Sequence, residues 1–333
     1  MTTAETTVAA EAAIALPSAG GPAPSKRRLL RNLLHDRTAV IGLALVGSLT
    51  VAAILAPLLA PHDPDAVDVA RKFLSPSREF PLGTDHLGRD VLSRRLFGAR
   101  LSIGSTFAAV VVISVIGVGI GLLTGWFGGV VDTVFGRFVD IFLAFPTFLL
   151  ALAVTALLGP GLNNVMLAIS LAWWPTYARI VRSAVLSERS KTYIESARAV
   201  GSPSLRIIRR HLLPNVLGPI IVLTTLDLGS VMLGISGLSF LGLGVRPPAA
   251  EWGAMLSEGR TYLSRAPNMM FFPGVAIFLM VLGFNLLGDG LRDVLDPRSR
   301  RGSRSLKGAG PARPTGRSRR GRPAPSAAAG SPG

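Results

Sequence analysis

Long apolar stretches alternate with shorter polar ones along this chain and predict six membrane-spanning helices. Each stretch carries few charges and approaches the roughly 20 residues that a helix needs to cross the hydrocarbon core of a bilayer. The predicted spans are residues 38–60, 101–125, 134–158, 165–185, 216–237 and 269–287. The pattern is typical of an all-α, polytopic membrane protein.

Two local patterns inside the spans predict how the helices pack and bend. Gly117, Gly119, Gly121 and Gly125 give the second span a small-residue face, which favours close helix packing in lipid. The pair Phe145-Pro146 predicts a kink in the third span, because proline removes a helical hydrogen bond.

The polar segments divide the chain into five parts. An Ala-, Thr- and Pro-rich start and an Arg-rich end have compositions that cannot bury a core, so both are predicted to be disordered. Between the first two spans, apolar positions from Leu87 onward predict an amphipathic interfacial helix. The parts are the N-terminal segment 1–37, the first span 38–60, the external segment 61–100, the five-span region 101–290 with a polar loop at 187–215, and the tail 291–333.

The distribution of charged residues indicates which kind of partner the protein has and how it is oriented. The 333 residues include 35 Lys and Arg against 19 Asp and Glu, a net charge of +16, and much of the excess lies in the two termini and in loop 187–215. Basic segments beside membrane spans favour the cytoplasmic side, so they predict a bilayer partner rather than nucleic acid, with both termini and the loop inside. The chain has no Cys, which excludes disulfides and thiol chemistry.

Loop 187–215 is predicted to form a helix–turn–helix. Residues 193–200 lack Gly and Pro and place apolar positions at helical spacing. Gly201 suits the left-handed position that follows a helix. Ser202 or Ser204 would cap a second helix, with Pro203 in its first turn.

The same loop resembles the EAA loop of ABC importer permeases. In that family Glu-Ala-Ala is followed by three residues, a Gly, about ten residues and Leu-Pro, and only the second position departs here, with Ser for Ala. The resemblance implies a helix pair that docks in a groove of a separate ATPase. The matching residues are Glu195, Ser196, Ala197, Gly201, Leu213 and Pro214. The simpler interpretation is a solvated helical hairpin.

Three further stretches, at 81–102, 238–253 and 284–298, resemble the C-type permease subunit of dipeptide, oligopeptide and nickel importers. One departure is Ile235-Ser236, where members often carry an acid-Ala pair. The resemblance covers residues 29–298. It implies a type I ABC importer permease fold in a bacterial cytoplasmic (inner) membrane and transport by alternating access. It favours peptides as substrate and leaves nickel or another small solute open.

The resemblance also implies the partners: a homologous permease subunit, two ATPase subunits and an external substrate-binding protein. The chain has no GxxxxGK[ST] phosphate-binding loop, so ATP and Mg are expected in the ATPase subunits, with no cofactor in this chain. It is therefore predicted not to be an enzyme, and no catalytic residues are assigned. An ion-coupled transporter is the alternative, but it calls for internal repeats or several intramembrane ionisable groups.

Candidate pathway residues are Trp173, Trp174 and Asp227. The two tryptophans precede Pro175 and predict a bend with an aromatic face, which would serve either packing or the pathway. An acid inside a span is costly and indicates a functional site, a helix–helix hydrogen bond or a contact with a partner subunit. No metal site is predicted, because the group His62, Asp63, Asp85 and His86 lacks compact ligand spacing.

Overall fold

The computed structural model describes Arg31 and residues 33–295, and helices dominate this part of the chain. The predicted disorder of residues 1–30 and of the tail beyond Leu295 lies outside the described residues. Within them there is no strand, only one isolated antiparallel bridge between Thr84 and Asp90. The helices are α1 (Arg37–Ile54), α2 (Ala56–Leu59), α3 (Val91–Phe127), α4 (Gly129–Leu143), α5 (Thr147–Leu158), α6 (Leu162–Arg189), α7 (Thr192–Ala199), α8 (Ser204–Ile207), α9 (Leu213–Phe240), α10 (Trp252–Arg260) and α11 (Asn268–Leu295).

Four helical segments are long and apolar enough to cross a membrane, by length and composition only. They are α1, α3, α11 and the stretch Ser204–Phe240, which contains α8 and α9, and a fifth is added if α4 and α5 form one bent span. The predicted fourth span lies in α6, whose polar and aromatic residues, Asn163 and Arg179 among them, lower its hydropathy. The helical membrane fold is confirmed, whereas the count of six spans is not reached by this criterion.

The helix predicted before residue 101 is not separate from the second span, because residues 91–100 form the first turns of α3. Asp90 begins this helix by accepting hydrogen bonds from the amides of Leu92 and Ser93, and α3 then continues without a break for 37 residues. Of the arginines that interrupt the apolar pattern, Arg100 is exposed, Arg95 is half-buried and the other two are buried. Arg89 and Arg94 are each 2% exposed.

Helices α3 and α6 pack along a row of glycines. A Cβ atom on Gly117 would lie 2.3 Å from the Cβ of Tyr177, and one on Gly121 would lie 2.7 Å from the carbonyl oxygen of Ala178. Gly125 is equally close to Val185. The predicted small-residue face is therefore confirmed at three positions, whereas Gly119 points into open space. The two backbones approach so closely that α3 and α6 form one packed pair.

The third predicted span is broken rather than kinked. Helix α4 ends at Leu143, α5 begins at Thr147 after Pro146, and the two helices are bent by 86°. Proline supplies no amide hydrogen and fixes its own φ angle, so the helical ladder stops here. The bend predicted near Pro175 is not accompanied by a break, since α6 continues from Leu162 to Arg189 with that proline inside it.

A buried ionic network fastens the segment before α3 to α10. Asp85 accepts a 2.6 Å hydrogen bond from Nε of Arg89, and Nη2 of Arg89 donates to Glu258 at 3.0 Å. Arg94 lies 3.5 Å from the same Glu258 carboxylate. Two carboxylates thus compensate two buried guanidinium groups, which explains why basic residues are tolerated in a segment predicted to be external.

Glu251 joins α10 to α3 at the same end of the bundle. Its fully buried carboxylate caps α10 by accepting from the amides of Gly253 and Ala254, both at 2.9 Å. Ser102 of α3 donates to it at 3.0 Å. Burial raises the pKa of the Glu251 carboxyl, and the hydrogen bonds oppose that rise.

Candidate functional site

Helix α7 ends in a Schellman motif at the predicted glycine. The amide of Gly201 donates to the carbonyl of Arg198 at 2.9 Å, and the amide of Ser202 donates to the carbonyl of Ala197 at 3.1 Å. Gly201 has φ +77°, which a residue with a Cβ atom rarely adopts. The prediction of a short helix followed by a left-handed glycine is confirmed.

The second helix of the loop begins differently from the prediction. Pro203 is the residue that precedes α8, and no side chain caps that helix, so the predicted serine cap is wrong. One turn of π-helix, Ile208–Leu212, then leads from α8 into α9. Pro214 lies in the first turn of α9, directly after this π-helical turn, and the chain enters the span without a break.

The inner face of α7 packs onto the ends of three long helices. Ile194 is fully buried in a cluster with Trp126 of α3, Val185 of α6 and Val216 of α9. Ala197 packs against this cluster from α7, as does Leu213 from α9. These two motif residues therefore hold the loop on the bundle.

The other motif residues lie on the outer face of the loop. Glu195, Ser196, Gly201 and Pro214 are all exposed. Among the described residues Glu195 has no ion pair, not even with Arg189 or Arg198 of the same loop. The structure thus separates the six matching residues into two that pack inward and four that face outward.

Apolar side chains on this outer face are also exposed. Val200 is 85% exposed and Leu205 is 59% exposed, on either side of the glycine turn. Exposed aliphatic side chains beside an unpaired carboxylate, on a loop predicted to lie outside the bilayer, are typical of a protein–protein contact.

A hydrogen-bonded chain of polar side chains fixes α7 to α6 and α9. The hydroxyl of Tyr193 donates to Oε2 of Glu188 at 2.6 Å and accepts from Nδ2 of Asn215 at 3.0 Å. Lys191 donates to the other Glu188 oxygen at 2.5 Å. Glu188 itself is buried at the end of α6. Partial burial, together with the neighbouring Glu188 carboxylate, raises the pKa of Tyr193 to about 12.

The sequence pattern did not single out Glu188, Tyr193 or Asn215 as a group. Asn215 follows Tyr193 by 22 positions, and the return of α9 beside α7 brings the two side chains together. The available signal was weak: a tyrosine and an acid close to one end of a predicted span.

Two of the predicted pathway residues, Trp173 and Asp227, lie along the contact between α6 and α9, whereas Trp174 lies elsewhere. Trp173 packs against the main core beside Gly234 of α9, whereas Trp174 is buried against Phe142 of α4 with ring centroids 5.6 Å apart. Asp227 is half-buried in α9 and interacts with the buried Tyr177 of α6. A pathway role for these residues remains a prediction.

Three side chains could in principle hold a metal ion. Asp85, His86 and Glu258 offer ligand atoms that all lie within 4.8 Å of one another. Both carboxylates already pair with Arg89, so a metal would have to displace a buried guanidinium or sit beside it. The charge balance therefore counts against a metal centre in this group.

The long apolar helices and the exposed helix pair of loop 187–215 are typical of the transmembrane subunit of a transporter. Residues 117–301 match the family described as "Binding-protein-dependent transport system inner membrane component", and residues 26–76 match the "N-terminal TM domain of oligopeptide transport permease C". The chain belongs to this family of ABC importer permeases, which are multi-pass inner-membrane transport proteins and not enzymes.

The chain resembles relatives that are named for different substrates, dipeptides in one case and nickel in another. The "Dipeptide transport system permease protein DppC" of Alkalihalophilus pseudofirmus is 43% identical over 272 residues, which cover 82% of this chain and 90% of that protein. The "Nickel transport system permease protein NikC" of Escherichia coli K12 is 43% identical over 257 residues, covering 77% and 93%. These relatives confirm the resemblance to the dipeptide, oligopeptide and nickel subfamily.

The fold also resembles a solved importer. A chain of the inward-facing MetNI methionine ABC transporter superposes with a TM-score of 0.50 at 22% identity, covering 61% of this chain and 97% of that chain. At this level of identity the likeness shows the fold alone, which is the predicted type I permease fold.

Proposed function

We propose that this chain moves di- or oligopeptides into the cytoplasm as one of two permease subunits in an ATP-driven complex. The observation that carries the proposal is the construction of loop 187–215. Its inner face is locked to α3, α6 and α9 through Trp126, Tyr193 and Ile194. Its outer face presents Glu195 and Val200. A rigid, exposed helix pair of this kind suits docking onto a separate ATPase.

The further partners are a homologous permease and an external substrate-binding protein, with ATP and Mg bound by two ATPase subunits. ATP-driven closure of the ATPases would carry both coupling loops inward and open the permease pair to the outside. A ligand shifts such a two-state bundle only by its differential affinity for the two states. Rigid-body motion of packed helices is a common form of this transition.

Peptide is the favoured substrate and nickel is the second candidate. Relatives named for dipeptides include proteins from Alkalihalophilus pseudofirmus and Pseudomonas aeruginosa, the latter 42% identical over 85% of this chain. The nickel permease of E. coli has a comparable identity, so overall similarity leaves both candidates open.

Reconstitution of the complete complex in proteoliposomes tests the proposal. We expect uptake of radiolabelled dipeptide that requires both ATP and the binding protein and persists when proton and sodium gradients are collapsed. Uptake that follows an ion gradient without ATP would contradict the proposal. Uptake of Ni²⁺ but not of dipeptide in the presence of ATP would show that nickel is the substrate and would still support ATP-driven import.

A further inference from the structure

Helices α4 and α6 enclose a charged groove that no pathway prediction included. Its cavity has a volume of about 190 Å³ and is lined by Asp132, Asp140, Arg179 and Arg182, with Gly136 between the two acids. The four charged side chains form two ion pairs that cross from one helix to the other.

The two ion pairs differ in the number of hydrogen bonds they contain and in the exposure of their side chains. Asp132 receives both Nε and Nη2 of Arg182, the latter at 2.6 Å, and its side chain is 24% exposed. Asp140 receives only Nη2 of Arg179, at 2.9 Å, and these two side chains are 62% and 58% exposed. The first pair holds α4 against α6, and the second has donor and acceptor atoms that remain available.

The position of the two arginines within the fourth predicted span, 165–185, favours water rather than lipid in the groove. Arg182 and Arg179 precede the end of α6 at Arg189 by about 10 and 15 Å along the helix axis, at 1.5 Å per residue. Charges at such depth in a bilayer face a water-filled cavity or a protein partner, because lipid does not solvate them. The opposite side of α4 carries exposed Val130, Val134 and Phe138, and that side is the one suited to lipid or an apolar partner.

The charge pattern selects a class of ligand. A solute with one ammonium and one carboxylate group can bind Asp140 and Arg179 together without changing the net charge of the groove. A dication such as Ni²⁺ would need Asp132 and Asp140 as ligands and would leave two guanidinium groups unpaired beside it, which is electrostatically unfavourable. A phosphate headgroup would in turn be repelled by the two acids.

We propose that the groove between α4 and α6 lines the cytoplasmic half of the translocation pathway and binds zwitterionic peptides. The ammonium group of the peptide binds Asp140 and its carboxylate binds Arg179. The pair Asp132–Arg182 positions the two helices. This inference rests on the proposed import function and adds to it a site for the substrate termini.

Thiol labelling tests access to the groove, since the chain has no native Cys. In inside-out vesicles that contain the whole complex, a membrane-impermeant methanethiosulfonate is added to a Gly136→Cys variant and to a Phe138→Cys control on the opposite side of α4. We expect Gly136→Cys to react about tenfold faster or more, because the reaction needs a hydrated thiolate. Equal rates, or no reaction at Gly136→Cys, would overturn the pathway assignment.

Protection and selectivity test the ligand. A free dipeptide should slow labelling of Gly136→Cys, and an N-acetylated, C-amidated dipeptide should not. The Arg179→Gln variant should lower uptake of free dipeptide about tenfold, as expected for loss of a hydrogen bond between charged groups. It should also abolish the preference for free over C-amidated dipeptide, a change that a purely structural defect would not produce.

Two controls separate this inference from the proposed function. Arg137→Gln removes the same charge from an exposed site on α4 that has no ion pair among the described residues, and it should leave uptake and selectivity unchanged. If the wild-type complex takes up dipeptide with ATP but neither protection nor altered selectivity is seen, the groove is not the substrate site and the import function stands. If the wild type takes up only Ni²⁺ with ATP, the peptide site and the peptide substrate are both contradicted, and only the ATP-driven mechanism of the proposed function stands.

Discussion

The guanidinium carbon of Arg198 lies 4.3 Å from the centre of the Trp126 ring, so a cation in α7 covers an aromatic side chain in the last turn of α3. This contact explains why Arg198 is not paired with Glu195 three residues earlier. It commits the charged side chain of the loop to the membrane bundle and leaves the carboxylate free to meet another protein.

Breaking that contact should weaken the link between ATP hydrolysis and transport. We expect Arg198→Gln to reduce transported substrate per ATP about two- to fivefold, because a cation–π contact contributes about 0.5–1 kcal/mol. Arg198→Lys keeps the charge and should retain most of the coupling. The measurement is uptake and phosphate release in the same proteoliposomes, and an unchanged ratio for Arg198→Gln would show that the contact has no role in coupling.

Tyr193→Phe should loosen α7 without unfolding the subunit. It removes the hydroxyl that joins Glu188 to Asn215 and leaves the buried Glu188 carboxylate with Lys191. We expect faster amide hydrogen exchange across Thr192–Ala199 than in the wild type. A Tyr262→Phe variant, at the other end of the bundle, is the matched control, and equal exchange in both variants would contradict the role of Tyr193.

The same hydroxyl gives a pH dependence with a definite sign. The pKa of Tyr193 is raised to about 12 in the folded protein, against about 10 for an unperturbed tyrosine. Below pH 10 the phenol is neutral in both states, so its contribution is constant. Between pH 10 and 12 the unfolded phenol ionises first, so stability falls as pH rises. Absorbance titration of wild type against Tyr193→Phe should show one phenol fewer ionising near pH 12.

Substitutions at Gly201 should separate backbone strain from loss of docking space. A Cβ atom there would meet nothing within 4 Å in the described part of the chain, so the cost among these residues is the positive φ. Gly201→Ala should cost roughly 1 kcal/mol in the loop and impair transport mildly. Gly201→Glu adds bulk and charge toward the ATPase and should abolish uptake while the subunit still inserts.

Gly201→Asn is the control for strain, because asparagine tolerates the left-handed conformation. If bulk at the ATPase surface is what matters, Gly201→Asn should bind the ATPases more weakly than Gly201→Ala in a pull-down. Full uptake by Gly201→Glu would remove loop 187–215 as the coupling element.

The orientation in the membrane is a prediction that labelling can settle. We expect Ser187→Cys to react with impermeant reagents only from the cytoplasmic side and Ala70→Cys only from outside, both positions being exposed. The physical reason is the basic character of loop 187–215 beside two spans. Reaction of Ser187→Cys from outside would invert the topology.

Removing Arg89 should destabilise the subunit strongly, since it leaves the carboxylates of Asp85 and Glu258 in a buried site with less compensation. We expect Arg89→Leu to cost about 3–5 kcal/mol, as is usual when one partner of a buried ion pair is deleted. Arg71→Leu, which breaks an exposed pair with Glu79, should cost about 0–1 kcal/mol. Thermal unfolding of both variants in detergent gives the comparison, and similar losses would show that burial of Arg89 is unimportant.

The sequence motifs predicted those structural features that depend only on residues close together in the chain. The glycine turn at Gly201 and the small-residue face at Gly117, Gly121 and Gly125 follow from local backbone and steric rules. The start of α3 at Val91 was missed, because Arg89 and Arg94 look like solvated or interfacial charges until Glu258 of α10 is placed beside them. That contact spans more than 160 positions of the chain.

The charged groove was missed for the same reason. Asp132 and Asp140 were visible near the start of the third predicted span, and Arg179 and Arg182 near the end of the fourth. Nothing in their spacing pairs them across two helices. Trp173, Trp174 and Asp227, by contrast, stand out as unusual residues within their own spans.

The unbroken length of α3 gives the molecule a mechanical property. At 1.5 Å per residue its 37 residues extend about 55 Å. The C-terminal end of α3 contacts the loop through Trp126 and Arg198. Towards its N-terminal end, Ser102 donates a hydrogen bond to Glu251 at the start of α10. Between these ends the glycine row packs α3 closely against α6. A tilt of about 5° about the Phe127 end would move the Val91 end by about 5 Å, by the same helix geometry. Under the proposed coupling, α3 is therefore long enough for a small displacement at the loop to move the opposite end of the helix by several ångströms.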